Sequence, residues 1–251
     1  MNTTARRLLR TAGLGELAPF LSPHLFSTLA PGDLGRTVRE LGRARLTRAE
    51  NRAAQRAVGA RLAEEGAPVE FVGRADGCTP EDLRSRRARG HAVLWLYFRQ
   101  LRMPGPVWLD LRQARFDGAA PVRWAPGWMR TEWSRDFREA IGDLYAGFYG
   151  EEPARFEAAL EPLGIAPARD VFLAHFGAGD QRAVRFSADA FRATFTDAFV
   201  ACRDAGTQLH PDFVPLGLML TSLYLHLEAL DLPLDVRSAW QAANGPQQSA
   251  A

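Results

Sequence analysis

The sequence predicts a mainly α protein: a helical bundle-like domain carrying one small β-hairpin at about residues 107–124. Three patterns lead there. From Pro126 onward, apolar residues recur every three or four positions in segments opened by Ser or Pro and closed by Gly, the period and punctuation of helices packed on one face. The run Ala92-Val93-Leu94-Trp95-Leu96-Tyr97-Phe98 is apolar nearly all round, so that helix belongs in the interior. Residues 107–116 alternate as a strand, Asp117-Gly118 is a hairpin turn signal, and residues 122–124 form the return strand.

Taken in order, the chain begins with a short amphipathic stretch over residues 4–17, and Pro19, Pro23 and Pro31 then make a turn-rich connector. Asp33 is the expected N-cap of a helical region running to about Glu65. The spacing allows an interruption at Gly42 and a restart near Thr47, where Glu50 completes a capping-box pattern. Eight arginines (36, 39, 43, 45, 48, 52, 56 and 61) outnumber its non-alanine apolar residues, and its apolar stripe of Val38, Leu41, Leu46, Ala53, Ala57 and Leu62 is thin. Such a helix presents a solvated or partner-facing surface. Gly66 closes it, residues 69–72 read as a short strand, and a Gly/Pro-rich turn leads to a helix capped by Thr79 with Asp82 three residues on.

Beyond the hairpin, Ser134 starts a helix through Phe137, Ile141, Leu144 and Tyr145. Pro153 starts a second that closes at Gly164, and residues 167–176 form a third. Ser187 caps a helix with Phe191, Phe195, Phe199 and Cys202 on one stripe, and Pro211 opens the last helix. The division is a basic helical N-terminal arm (1–65), a helical core domain with the hairpin (66–240) and a disordered tail (241–251).

Charge is distributed unevenly. Residues 1–125 hold 21 Arg against 12 acids and residues 126–251 hold 10 Arg against 17, although the net charge is only +2. The basic half points to a protein partner or an anionic surface engaged between Arg36 and Arg61, with peripheral membrane association a further option. The absence of stacking aromatics there argues against nucleic acid. All 31 Lys+Arg positions are Arg, which removes Schiff-base and P-loop lysine chemistry. Two distant cysteines without CxxC spacing, and a start that lacks a signal-peptide core, suggest a reducing, cytoplasmic setting.

For chemistry, Asp110 stands out as an acid in the apolar run Val107-Trp108-Leu109-Asp110-Leu111-Arg112. Two explanations stay open: phosphate or metal chemistry, or an ion pair with Arg112, Arg115 or Arg123. His175, beside Gly177 and Gly179, can move a proton or simply finish a helix. Trp108 and Trp124, with Arg112 and Arg115, are candidates to wall a ligand site, and the tryptophans could equally seal the core. His226 and Glu228, two apart in a helix, point to different faces and cannot share a metal. No metal-binding spacing and no cofactor motif is present, so neither is expected.

Residues 93–236 resemble the C-terminal lobe and tail of the ABC1/UbiB atypical kinase family. The likeness lies in the buried helix over 94–101, the strand ending Trp108-Leu109-Asp110, the helix Leu144-Tyr145-Ala146-Gly147-Phe148-Tyr149 before Glu151-Glu152-Pro153, and Leu209-His210-Pro211-Asp212-Phe213. The resemblance implies a kinase C-lobe-like helical scaffold in which Asp110-Leu111-Arg112 stands where the family has its metal-binding Asp-Phe-Gly. The catalytic loop and lysine motif have no counterpart, which implies a degenerate, pseudokinase-like member. The functional expectation is a noncatalytic binding or regulatory protein using its basic N-terminal surface. The alternative is an enzyme acting on a small apolar or anionic substrate, with Asp110 and His175 as acid and base.

Overall fold

A computed structural model describes residues 25, 27–29, 32–177 and 183–245, so the 4–17 stretch and the connector up to Pro23 lie outside the described residues. The order is α1 (Asp33–Leu46), α2 (Arg48–Glu64), β1 (Val69–Phe71), α3 (Leu83–Arg102), β2 (Pro106–Trp108), β3 (Phe116–Asp117), β4 (Val122–Trp124) and β5 (Arg130–Glu132). There follow α4 (Arg135–Tyr149), α5 (Pro153–Leu163), α6 (Arg169–Gly177), β6 (Ala183–Arg185), α7 (Ala188–Asp204), α8 (Phe213–Ala229), β7 (Pro233–Asp235) and α9 (Val236–Asn244). The protein is mainly α, with small sheets of two or three strands.

Two helices form the interior. In α3 every residue from Ala92 to Phe98 is buried, and in α8 all from Phe213 to Leu223 are. Neither sequence leaves a polar face to turn to water, so both must be wrapped on all sides. α9 lies along α3, α4 packs on α3 and pairs with α5 as a helical hairpin, and α6 and α7 close the side next to α8. The expected caps form at Ser134, whose hydroxyl accepts from Phe137 N, and at Ser187, which accepts from Ala190 N. At the start of α3 the cap is Asp82, accepting from Ser85 N at 2.8 Å, and not Thr79, whose hydroxyl donates to Gln113 Oε1.

The hairpin is shorter than its alternation predicts. Residues 116–117 and 122–124 pair antiparallel around Gly118, which has φ +69° and no room for a Cβ because Pro121 O would stand 2.7 Å from it. The front half of the expected strand, β2, pairs instead with β5 (Val107 opposite Thr131), and a 3₁₀ turn at Gln113–Arg115 separates the halves. β4 is central in its sheet because β1 joins it in parallel, Phe71 opposite Trp124. Alternation continues across Asp110, but pairing stops there.

The N-terminal helices are not a detached arm. The break between them falls at Thr47 rather than Gly42, and the Thr47 hydroxyl turns back to the Arg43 carbonyl. α2 buries Asn51, Val58 and Leu62 against the rest of the molecule, while Ala53 and Ala57 of the expected stripe are exposed. Gln55 Nε2 donates to Pro126 O at 2.9 Å across the same contact. At the other end, residues 241–244, expected to be disordered, complete α9. Its Val236, Ala239 and Ala243 are buried, and its Trp95 contact runs from the indole N–H to Ala242 O. That helix, and the β6–β7 pair before it, were hidden because each is short and follows Pro or Gly-rich sequence.

The α4–α5 hairpin makes the sharpest packing test. A Cβ on Gly147 would stand 2.2 Å from Phe156 N and 2.5 Å from its Cα, whereas one on Gly142 of the same helix meets nothing within 4 Å. Gly147→Ala is expected to cost about 3 kcal/mol or more through overpacking against backbone. Gly142→Ala should add about 0.5–1 kcal/mol of helix propensity. Urea denaturation of the two variants reads the difference, and equal effects would contradict this packing.

Candidate functional site

The residues singled out around the β2 end are consumed in structure. Trp108 and Trp124 are fully buried and meet edge to face at 6.0 Å, with Phe116 stacked on Trp124 and Phe71 at its edge. They fill the core between the sheets and α3. A buried glutamine sets this region: Gln100 of α3 accepts from Trp108 N at 2.8 Å and donates to Trp108 O. β2 is thereby tied to the central helix.

Asp110 is 1% exposed, and both of its oxygens are engaged. Arg112 donates to Oδ1 through its backbone N–H (3.2 Å) and Nε (2.9 Å) and to Oδ2 through its terminal nitrogen (3.0 Å), while Arg115 Nε reaches Oδ2 at 3.1 Å. Burial alone would push this carboxyl up. The Arg112 hydrogen bonds and charge, with Arg115, outweigh it and hold the group below its usual range. Of the two explanations for an acid in this strand, the ion pair is the one realised. Arg123 takes no part, since it pairs with Asp117 at 2.7 Å.

On either side of Asp110 the backbone is clamped to one face of α8. Ser222 Oγ accepts from Leu111 N at 3.0 Å and donates to Leu109 O at 2.6 Å, and one turn later the fully buried His226 donates from Nδ1 to Leu111 O at 2.7 Å. Glu228 points elsewhere and caps α7 by accepting from Ala188 N at 3.1 Å. Burial pushes His226 down to about 4, so it is neutral near pH 7. Its Nε2 is buried without a hydrogen-bond partner among the described residues.

The opposite face of α8 lines a cavity. Tyr224, two residues from Ser222 and so on the other side of the helix, bonds through its hydroxyl to His175 Nε2 at 3.0 Å. Around this pair stand Tyr97 of α3, Tyr145 and Tyr149 of α4, Phe176, Phe195 and Leu223. These are all four tyrosines of the chain. The space is about 50 Å³, and among the described residues no charged side chain lines it. Tyr97 and Tyr145 bond to each other at 2.6 Å. Burial raises all four phenols above their ordinary value and pushes His175 down to about 4, so near pH 7 every group in the cavity is neutral.

The two sequence-nominated acid–base residues are thus not brought together, because Asp110 sits on the Ser222–His226 side of α8 and His175 on the Tyr224 side. Asp180, close to His175 in sequence, lies outside the described residues. The phenylalanine stripe of α7 is mostly core, with Phe195 alone of the three lining the cavity. Sequence reading missed the tyrosines as a group. The available signal was that each carries a polar tip in a helix that otherwise reads as apolar, and a buried phenol oxygen needs company.

The basic surface predicted between Arg36 and Arg61 is present on α2, where Arg48, Arg52 and Arg56 succeed one another at i, i+4 spacing, are exposed, and make no ion pair among the described residues. Also among the described residues, no group of three His, Cys, Asp or Glu side chains is placed to hold a metal, and no helix is long and apolar enough to cross a membrane. No protein-family model matches the chain, and no curated protein matches it.

Asp110→Asn keeps an acceptor but removes the charge that two arginines address, and is expected to cost about 2–3 kcal/mol. Guanidinium denaturation followed by tryptophan fluorescence checks it, and an unchanged midpoint would contradict the ion-pair role. His226 gives a separate pH signature. Its folded pKa lies below the unfolded 6.5, so the unfolded state takes up the proton first and stability falls as pH drops from about 6.5 towards 4, by roughly 3 kcal/mol over the window. Asp110, also depressed, acts only below about 3.8, where its contribution is lost as it protonates. Denaturation at pH 7 and pH 5 should show the first loss, reduced in His226→Gln.

Proposed function

We propose that this chain is a noncatalytic, helix-rich binding protein that takes a small, neutral, largely apolar molecule into the tyrosine cavity. The observation that carries this reading is the convergence of four phenols and one histidine in a space that no charged side chain lines among the described residues. Binding sites of small molecules are apolar concavities with a few convergent polar groups, and this one shares that lining on a much smaller scale, suited to a molecule of a few atoms. The polar groups are already tied up in neutral pairs, Tyr97 with Tyr145 and Tyr224 with His175. They orient a ligand better than they would exchange protons with it.

Against catalysis by Asp110 and His175 stands their separation by α8, and the Asp110 carboxylate is spent on arginines. A degenerate, pseudokinase-like scaffold agrees with that expenditure, since the acid that the family resemblance would assign to metal binding is occupied by Arg112 and Arg115. A second surface, the Arg48, Arg52 and Arg56 row, supports docking to an anionic protein or surface alongside ligand binding.

Xenon dissolved under pressure in a solution of the purified chain and followed by NMR is expected to shift the resonances of Phe176, Phe195 and Leu223. Val184→Trp, which fills the mouth from β6, should abolish the shifts while the melting profile is retained. Shifts absent from the wild type, or spread over unrelated surface residues, would contradict the reading. For the basic row, flotation with anionic vesicles at low salt should fall several-fold in the Arg48/Arg52/Arg56→Gln triple variant.

A further inference from the structure

We propose that the cleft bounded by α4 and the ends of α3 and α9 is a second ligand site, and that it takes a planar aromatic carboxylate. The ring lies over Gly142 against Trp240, and the carboxylate is held by Arg102 and Arg138. This site is separate from the tyrosine cavity and does not rest on the binding reading above.

The floor of the cleft is α4. Arg138, Gly142 and Ala146 follow one another at i, i+4 spacing and so share one face, with Glu139 beside them. Arg102, the last residue of α3, lines it together with Trp240 and Asn244 of α9, and Glu152 and Arg155 at the start of α5 complete the lining. The space is about 390 Å³, far larger than the tyrosine cavity. That volume lies within the roughly 300–1,000 Å³ of small-molecule sites.

Charge in the cleft is not balanced locally. Glu139 is taken by Arg135 at 2.8 Å, and Arg155 holds both Asp143 (2.6 Å) and Glu152 (3.1 Å). Two guanidiniums of the lining are left without a carboxylate among the described residues. Arg102 donates to the neutral Asn244 Oδ1, and the half-buried side chain of Arg138 makes no hydrogen bond or ion pair among the described residues. A guanidinium stays charged and offers its donors in one plane, which a carboxylate matches with two oxygens.

Gly142 and Trp240 account for the ring. A Cβ at Gly142 would meet nothing within 4 Å, so the floor is bare there. Trp240 is half-buried and braced: it rests on Tyr149 at 6.3 Å, and its Cη2 would stand 3.1 Å from a Cβ at Gly150. Asn244 ties this indole to the arginine, because its amide donates to the Trp240 carbonyl at 2.6 Å while its Oδ1 accepts from Arg102. Platform and cation are thus positioned before a ligand arrives, which lowers the cost of binding. A flat ring gains contact with a fixed indole. A cation would be repelled by the two arginines, and a neutral ring would leave them unpaired.

The test is calorimetric titration of the full chain at pH 7 with 2-naphthoate, 2-naphthalenemethanol and acetate, in the wild type, Arg138→Gln and Gly142→Leu. Naphthoate is expected to bind the wild type and to lose about 10-fold or more in affinity in Arg138→Gln, the worth of a hydrogen bond to a charged group. It should not bind Gly142→Leu, whose side chain fills the floor. That variant puts a good helix former into open space, so its melting temperature should equal or exceed that of the wild type and lost binding cannot be read as unfolding. The alcohol should bind about 10-fold more weakly than naphthoate and ignore Arg138→Gln, and acetate should not bind. In the wild type, naphthoate should move the Trp240 indole N–H resonance. No naphthoate binding to the wild type, unchanged naphthoate affinity in either variant, an alcohol or acetate that binds as tightly as naphthoate, or an unmoved Trp240 resonance would each overturn the proposal. Naphthoate is too large for the 50 Å³ tyrosine cavity, so its failure leaves the xenon test of that cavity untouched.

Discussion

Burying a phenol removes water from an oxygen that must then find another partner, and this chain gathers all four of its tyrosines at one place, Tyr97, Tyr145 and Tyr149 buried and Tyr224 half-buried. The rest of the architecture serves that concentration. Tyr97 comes from α3, Tyr145 and Tyr149 from α4, and Tyr224 from α8, so three helices must be held in one register for the hydroxyl pairs to form. The register is set from outside the cavity. Gln100 fixes β2 to α3, Ser222 and His226 clamp the continuation of β2 to α8, and the glycine contact at Gly147 brings α5 against α4.

α8 therefore works as a partition. Its Ser222–His226 side faces backbone groups and the buried Asp110 carboxylate with its partly exposed arginines, which are polar and charged. Its Tyr224 side faces aromatic rings, neutral hydroxyls and empty space. Charge and cavity thus lie on opposite sides of one helix. Under the proposed binding role, a ligand there is chosen by shape and hydrogen bonding rather than by charge.

Much of the framework could be read from the residues alone. Helix starts at Ser134, Pro153 and Ser187 and stops at Gly164 and Gly206 follow local chemistry, and the continuous apolar runs of α3 and α8 betray their central places. What escaped was non-local. Residues 107–116 alternate well enough to suggest one strand, yet the 3₁₀ turn divides them between two sheets, because partners for β2 and β4 come from residues 130–132 and 69–71. The helix at 236–244 is short and its buried face is small residues plus Trp240, a pattern that composition renders as a polar tail. Asp110 was visible as an anomaly, and its two arginine partners were among those named for it. The tyrosine site was not visible, since its members are spread over more than a hundred positions and each looks like core in its own helix.

The central claim, that all four phenols share one buried and uncharged space, is tested most directly by spectrophotometric titration of tyrosine ionisation at 295 nm from pH 8 to 13, run beside circular dichroism. The account predicts no ionisation near 10, the ordinary value for an exposed tyrosine, and a single step for all four that coincides with loss of helix. One or more phenols ionising reversibly near 10 in the still-folded protein would contradict it.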